Sequence, residues 1–352
     1  MFVALRDLRA ARGRFGLIAL VVTLVALLVS FLSGLTAGLA HQNISAVDSL
    51  RAEHLVFADS GADPSFEGSA LSQDQVTAWQ RAAGAGGTVE PVGISRAEAD
   101  RAGSPPAQVA LFGATAGTVG NRAATDTGRI VLSSGAATDL HAAAGDTVGL
   151  GGRTFTVAAV EGDDWYSHTP VVWLTPADWQ AVSPRGGVAT VLAVTGVAGV
   201  DAVNAAAHTT TTTVSGARSA LASYQAENGS LTLMTVLLFA ISALVIGAFF
   251  TVWTVQRMPD IATLKALGAT SGSLVRDALG QAAIVLAAGV TAGLGITVAA
   301  ATVLGDALPF VLSPATTLLP AAALIVLGLV GAAFALRFLF TTDPLTALGT
   351  AR

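Results

Sequence analysis

The chain holds a single lysine, Lys265, set between Leu264 and Ala266. A phosphate-binding loop needs G-x-x-x-x-G-K-[ST], with its lysine reaching the phosphates, so no nucleotide site of that kind is encoded. Cysteine is absent, which removes disulfides, thiolate metal sites and cysteine nucleophiles together. Neither G-x-S-x-G nor H-E-x-x-H occurs, so no hydrolase constellation is legible. Asp163, Asp164, Tyr166 and His168 lie close enough in sequence to hold a metal. No ligand-spacing pattern supports them, and they read as a polar loop between two strands. His54, His141 and His208 are isolated, and without a basic cluster nucleic acid is not a partner. The residues describe a protein that is not an enzyme.

What positions these residues is a membrane framework. The chain of 352 residues is 53% hydrophobic and 12% charged, where a soluble domain carries about 25% charged residues. Crossing a bilayer takes roughly 20 apolar residues, and four segments qualify: 17–40, 231–255, 278–304 and 316–336. Arginines precede the first, and Gly38-Leu39-Ala40 resembles a cleavage site. Its apolar run is too long for the ~7–15 residues of a signal-peptide core, so it reads as a retained span. Residues 41–230 hold 9 Arg against 18 Asp/Glu, whereas residues 1–16, 256–277 and 337–352 together hold 9 Lys/Arg against 4 Asp/Glu. Basic residues near span ends stay in the cytoplasm. The expected layout is a plasma-membrane protein with both termini and the 256–277 loop inside. The 41–230 domain and the 305–315 loop are then outside.

The fold class expected is membrane α-helical, four transmembrane helices, with a mixed α+β extracellular domain between helices 1 and 2. Within 41–230, residues 72–84 predict a helix capped by Ser72, with Gln75 completing a capping box. Residues 129–160 read strand (130–132), helix (136–144) and hairpin (147–150 and 154–160, reversed at Gly151-Gly152). Further strands are expected at 170–174, 188–194 and 209–213.

Residues 257–270, RMPDIATLKALGAT, follow the second span. Pro259 suits a first helical turn, Asp260 complements the helix dipole there, and Gly268 suits a C-cap. Ile261, Leu264 and Leu267 share a face, with Lys265 opposite. The spacing fits a helix lying on the membrane and equally one plugging into a partner's groove.

This segment resembles R-x-x-E-I-G-x-L-R/K-A-I/L-G-A-S/T in ABC transporter permeases of the MacB/FtsX/LolC type. Arg257, Ile261, Leu264, Lys265, Ala266, Leu267, Gly268, Ala269 and Thr270 match. Asp260 replaces Glu, Ala262 replaces Gly, and Pro259 is unusual. The order of one span, large domain, three spans and a closing DPLTALGTAR also matches, as does LSSGAATDLHAAAGDTVGLGGRTFTVAAV. The resemblance implies that 257–270, with Arg257, Asp260, Ile261, Leu264, Lys265, Leu267 and Gly268, is a coupling helix that docks on a separate ABC ATPase. It also implies a homodimer of permeases.

Ser30, Gly34 and Gly38 recur every four residues in the first span, as do Gly289 and Gly293 in the third. Small residues so spaced let helices approach closely. The first stripe is the expected dimer contact. Spans one, two and four carry no ionisable residue at depth, which argues against an ion route and for an amphipathic cargo. The plan most resembles the HrtB-type haem-exporting permeases, implying haem as transported substrate, with no cofactor resident in this chain and ATP used by the partner. Haem iron takes His, Met, Tyr or Cys. His41, Tyr224, Glu227 and Met234 therefore stand as candidates around an outer-leaflet mouth. The same plan serves an alternative, an FtsX-like signal transmitter that activates a cell-wall hydrolase through its outer domain.

Overall fold

The computed structural model describes residues 12–183, 187–256, 258–305 and 308–336. The chain divides into two compact units. One joins the residues up to Gly38 to those from Ser230 onward; the other is Leu39–Gly229.

The first unit is a helical bundle. Helices α1 (Arg12–Asp48), α7 (Ala222–Gln256), α9 (Ser271–Leu304) and α10 (Pro314–Leu336) are each long and apolar enough to cross a membrane. Their shared core includes Val22, Ala26, Ile246, Phe250, Val285, Leu286, Val290 and Leu324. Glycines set the closest approaches. A Cβ at Gly289 would lie 2.7 Å from Val22, and one at Gly293 would lie 2.7 Å from both Ala26 Cβ and the Thr23 carbonyl. The spacing of four in the third span is thereby used against α1, as close helix packing requires. Leu17, Leu20, Leu24 and Leu28 of α1 face outward, as do Leu233, Leu237, Ile241 and Leu244 of α7.

Two helices run past the apolar segments that announce them. The first apolar run stops at residue 40, but α1 continues to Asp48; the second begins at 231, but α7 starts at Ala222. The added turns are polar in composition, yet they bury Asn43, Ile44, Ala46 and Val47 on α1 and pack Tyr224 on α7. Hydropathy marks where lipid ends, and helix geometry continues wherever a protein core receives the next turn.

Among the described residues the inserted domain has ten strands in one network. Strands β1 (His54–Ala58), β9 (Val191–Thr195) and β10 (Thr209–Thr213) form an open sheet in the order β10-β1-β9-β2. The long β2 (Thr88–Asp100) pairs with β9 through Thr88–Val92 and with β3 (Ala107–Gly113) through Gly93–Ala99. From β3 the pairing continues to β8 (Thr169–Leu174), β4 (Arg129–Leu132), β6 (Arg153–Val160) and β5 (Thr147–Leu150). β5 then returns to β2 at Ala99 and Asp100, closing a six-stranded ring. Closure removes the free edges that an open sheet exposes. Parallel pairs (β3 with β8, β4 with β6) stand among antiparallel ones. The ring encloses Val109, Leu111, Ile130, Leu132, Val148, Phe155 and Val172.

Helix α2 (Gln73–Ala83) has the expected Ser72 cap and capping box with Gln75. Helix α4 (Ser134–Leu140) ends four residues short of the expected 144, because His141 takes a left-handed conformation at φ 52° and its N–H closes on Ala137 and Thr138 carbonyls. Strands β1, β2 and β3, together with helices α3 (Ala116–Val119), α5 (Pro176–Val182) and α6 (Val200–Ala207), were not expected from the sequence.

Candidate functional site

Two places gather the residues singled out above. In the bundle unit, α8 (Met258–Ala266) follows α7 at once. Gly268 takes φ 95°. Its N–H donates to the Lys265 carbonyl at 3.0 Å, and the Ala269 N–H donates to Leu264 at 3.0 Å. A left-handed glycine at this point ends the helix without a Cβ penalty. Thr270 then caps α9 by accepting from the Ser273 N–H at 3.3 Å.

The expected apolar face of α8 divides in two. Ile261 and Leu264 line a shallow groove with Trp253, Leu274, Asp277 and Leu336. Leu267, one residue beyond the helix, is 80% exposed. Lys265 is half-buried rather than projecting from an opposite polar face. Met258–Ala266 is too short for a full stripe, and the turn at Gly268 swings Leu267 out of line. Arg257 lies outside the described residues, as does the side chain of Asp260.

The second place lies in the inserted domain. Strand β7 (Trp165–Tyr166) and β8 make a hairpin whose two-residue turn is Ser167-His168. His168 Nε2 lies 2.9 Å from Glu227 Oε1, and Glu227 Oε2 accepts from Asn43 Nδ2 at 3.1 Å. His41 Nε2 meets the Asp163 carbonyl at 2.8 Å and the Asp163 carboxylate at 3.2 Å. Asp163 also accepts from Ser134 at 3.0 Å and from the Trp165 indole at 2.7 Å. Tyr224 packs against the domain core, where Arg218 pairs with Asp48 at 2.9 Å. So His41, Glu227 and Tyr224 are all held by neighbours within this domain, while Met234 on α7 is 56% exposed. Among the described residues no three His, Asp or Glu side chains converge as a metal site.

The polar loop expected around 163–168 is therefore the hub that gathers two of the candidates, His41 and Glu227. Sequence reading missed Asn43, Ser167 and Ser223, whose only signal is that polar residues continue α1 and precede α7.

Asp164 is set apart from this hub by burial. It is 3% exposed, accepts from the Trp173 indole at 3.2 Å and pairs with Arg122 at 2.9 Å. Burial pushes its carboxyl above the ordinary carboxylate value, and Arg122, Trp173 and His41 pull it down without cancelling that rise. A carboxyl whose pKa is higher folded than unfolded contributes stability at low pH. That contribution is lost as pH climbs through the folded value. Thermal unfolding of the purified chain, measured upward from about pH 4, should show this decline, and Asp164→Asn should flatten it. An unchanged slope in the variant would assign the decline to other groups.

The Ser30–Gly34–Gly38 stripe meets residues of its own chain. A Cβ at Gly34 would enter the Phe310 ring, and one at Gly38 would enter the Pro309 backbone. The Val311 N–H donates to the Gly34 carbonyl at 3.1 Å, and Phe31 and Phe310 stack at 5.3 Å. Ser30 is buried. Pro309, Phe310 and Val311 of the same chain pack over Gly34 and Gly38. The segment 308–312 carries Leu308, Pro309 and Phe310, and apolar residues in a short loop fold back onto the nearest small-residue groove.

Residues 232–344 match the family described as FtsX-like permease C-terminal. The chain carries an FtsX-like permease domain. This domain takes in α7 from Thr232, α8 with its exposed Leu267, α9 and α10. Over 366 residues the chain is 27% identical to a protein of Staphylococcus haemolyticus named "Putative hemin transport system permease protein HrtB", spanning 99% of each. A protein of the same name from Staphylococcus epidermidis is 26% identical over 359 residues, again 99% of each. Two solved structures align with the chain. The periplasmic region of MacB from Actinobacillus actinomycetemcomitans gives a TM-score of 0.37 at 11% identity, covering 51% of this chain and 96% of that one. The extracellular domain of the noncanonic ABC-type transporter YknZ from Gram-positive bacteria gives 0.31 at 13%, covering 44% and 88%. At these scores the two likenesses carry no argument here.

Proposed function

We propose that this FtsX-like permease is the membrane subunit of an ABC-type efflux transporter that expels haem, or an amphipathic molecule like it, from the outer leaflet. ATP is hydrolysed by a separate subunit that docks on α8. The observation that carries this reading is Leu267, an 80% exposed leucine at the end of a short helix inside the permease domain. A large apolar side chain held out by a rigid turn is what a partner's pocket accepts. Full-length likeness to proteins named as hemin transport permeases supports haem as the cargo. The basic bias of 1–16, 256–277 and 337–352 supports α8 and both termini in the cytoplasm and the inserted domain outside. Two copies of the chain make the working unit.

Met234 and Tyr224 are the candidate haem contacts that keep the chemistry iron accepts. Met234 stands open, and Tyr224 is half-buried against the domain core. His41 and Glu227 would have to leave Asp163, His168 and Asn43 to take part. Purified protein incubated with haemin should show a shifted Soret band that weakens in Met234→Ala or Tyr224→Phe. A band unchanged in both variants would remove these residues as ligands. The broader test is co-purification with an ATPase whose hydrolysis rises with haemin and not with unrelated amphiphiles.

A second reading is a signal transmitter that drives a cell-wall hydrolase through the inserted domain. The unbroken run of α1 and α7 into residues of that domain favours it, because a continuous helix passes displacement along its length. A deletion strain separates the two: haemin sensitivity speaks for export, and chaining or a division defect speaks for signalling.

A further inference from the structure

The turn between β7 and β8 has an unexpected composition. Trp165 pairs with Pro170 and Tyr166 with Thr169, which leaves Ser167 and His168 as the two central residues. Both take positive φ, 50° and 59°. A two-residue turn of this kind favours Asn-Gly, because side chains with a Cβ are strained there. Serine and histidine are held in this conformation by what they reach.

Their backbones bond α1. The Ser167 N–H donates to the Asn43 carbonyl at 2.7 Å and the His168 N–H to the Gln42 carbonyl at 2.9 Å. Their side chains bond α7. Ser167 Oγ lies 3.1 Å from Ser223 Oγ, and His168 Nε2 lies 2.9 Å from Glu227. The two helices also bond each other beside the turn, Ser223 Oγ donating to Asn43 Oδ1 at 2.8 Å and Asn43 Nδ2 to Glu227 at 3.1 Å. Just before the turn the Trp165 N–H donates to Ser45 Oγ of α1 at 2.8 Å. The strand leaving the turn, β8, is a member of the six-stranded ring, paired with β3 and β4.

We propose that the Ser167-His168 turn is a strut. It fixes the ends of α1 and α7 within the inserted domain to each other and to the ring, so that all three move as one body. The strain at both residues is retained because Asn-Gly, which relieves it, supplies no imidazole to meet Glu227. The device is independent of cargo: it serves export and signalling alike.

The absence of cysteine makes the test direct. Cysteines introduced at the exposed positions Asp139, in α4 beside the ring, and Gln225, on α7, accept spin labels with no background. In the purified full-length chain the label–label distance should form one narrow distribution. The double variant Ser167→Asn, His168→Gly keeps a favoured turn and removes both side-chain links to α7, and the distribution should broaden about twofold. Glu227→Ala should broaden it similarly, while Glu227→Gln, which still accepts from His168, should keep it narrow. Equal widths in the wild-type chain and the double variant would overturn the strut, as would Glu227→Ala behaving like Glu227→Gln. None of these readouts involves haem or an ATPase, so failure of the export reading leaves them unaffected.

Discussion

Gly38→Leu is expected to lower the thermal unfolding midpoint of the purified chain by about 4 °C or more, because overpacking of this kind costs about 3 kcal/mol or above. A side chain at Gly38 meets the Pro309 backbone, which has no rotamer to yield. That backbone is pinned two residues further on, where the Val311 N–H donates to the Gly34 carbonyl. Gly34→Ala is the contrasting case. Its methyl group meets the Phe310 ring, a side chain that can turn aside, so the expected loss is smaller, about 1–2 kcal/mol. The measurement is a melting curve in detergent read alongside oligomeric state. A Gly38→Leu chain that melts like the parent yet loses its dimer would mark the stripe as a contact between copies.

Leu267→Asp is expected to reduce co-purification of the partner ATPase at least about tenfold, the scale of a removed interface anchor. The permease itself should be nearly unaffected, within ~0.5 kcal/mol, as for other exposed substitutions. This contrast follows from exposure: at 80% exposed, Leu267 contributes little to the fold that holds it. Leu264 is less clean, because it also lines the groove with Trp253 and Leu274, so its replacement mixes packing with docking. Pull-down yield and melting temperature, measured on one preparation, separate the two effects. Undiminished ATPase capture by Leu267→Asp would mean that docking uses another surface.

The membrane helices were legible in the sequence because lipid selects for uninterrupted apolar runs, and such runs need no knowledge of the rest of the chain. The capping box at Ser72 and Gln75 and the glycine stop at Gly268 were legible for a related reason, since their chemistry is complete within four or five residues. β2 was not. Its thirteen residues change neighbours at Gly93 and include Pro91, Glu90 and Arg96, so neither alternation nor an apolar run marks it. The candidate site was half legible. His41, Tyr224 and Glu227 were picked for their chemistry, but Asp163 and His168, which hold His41 and Glu227, lie 122 and 59 residues from them along the chain. Only the folded hairpin brings them together. The small-residue stripe in α1 packs against Pro309 and Phe310 of the same chain, an occupant that spacing alone does not record.

The double membership of β2 has a thermodynamic consequence. Thr88–Val92 belongs to the open sheet and Gly93–Asp100 to the closed ring, so the ring cannot melt without withdrawing a strand from the sheet beside it. Two subdomains that share a strand lose their separate transitions. The inserted domain should therefore unfold in calorimetry as one cooperative peak, and a nick in the peptide backbone near Gly93 should split that peak in two.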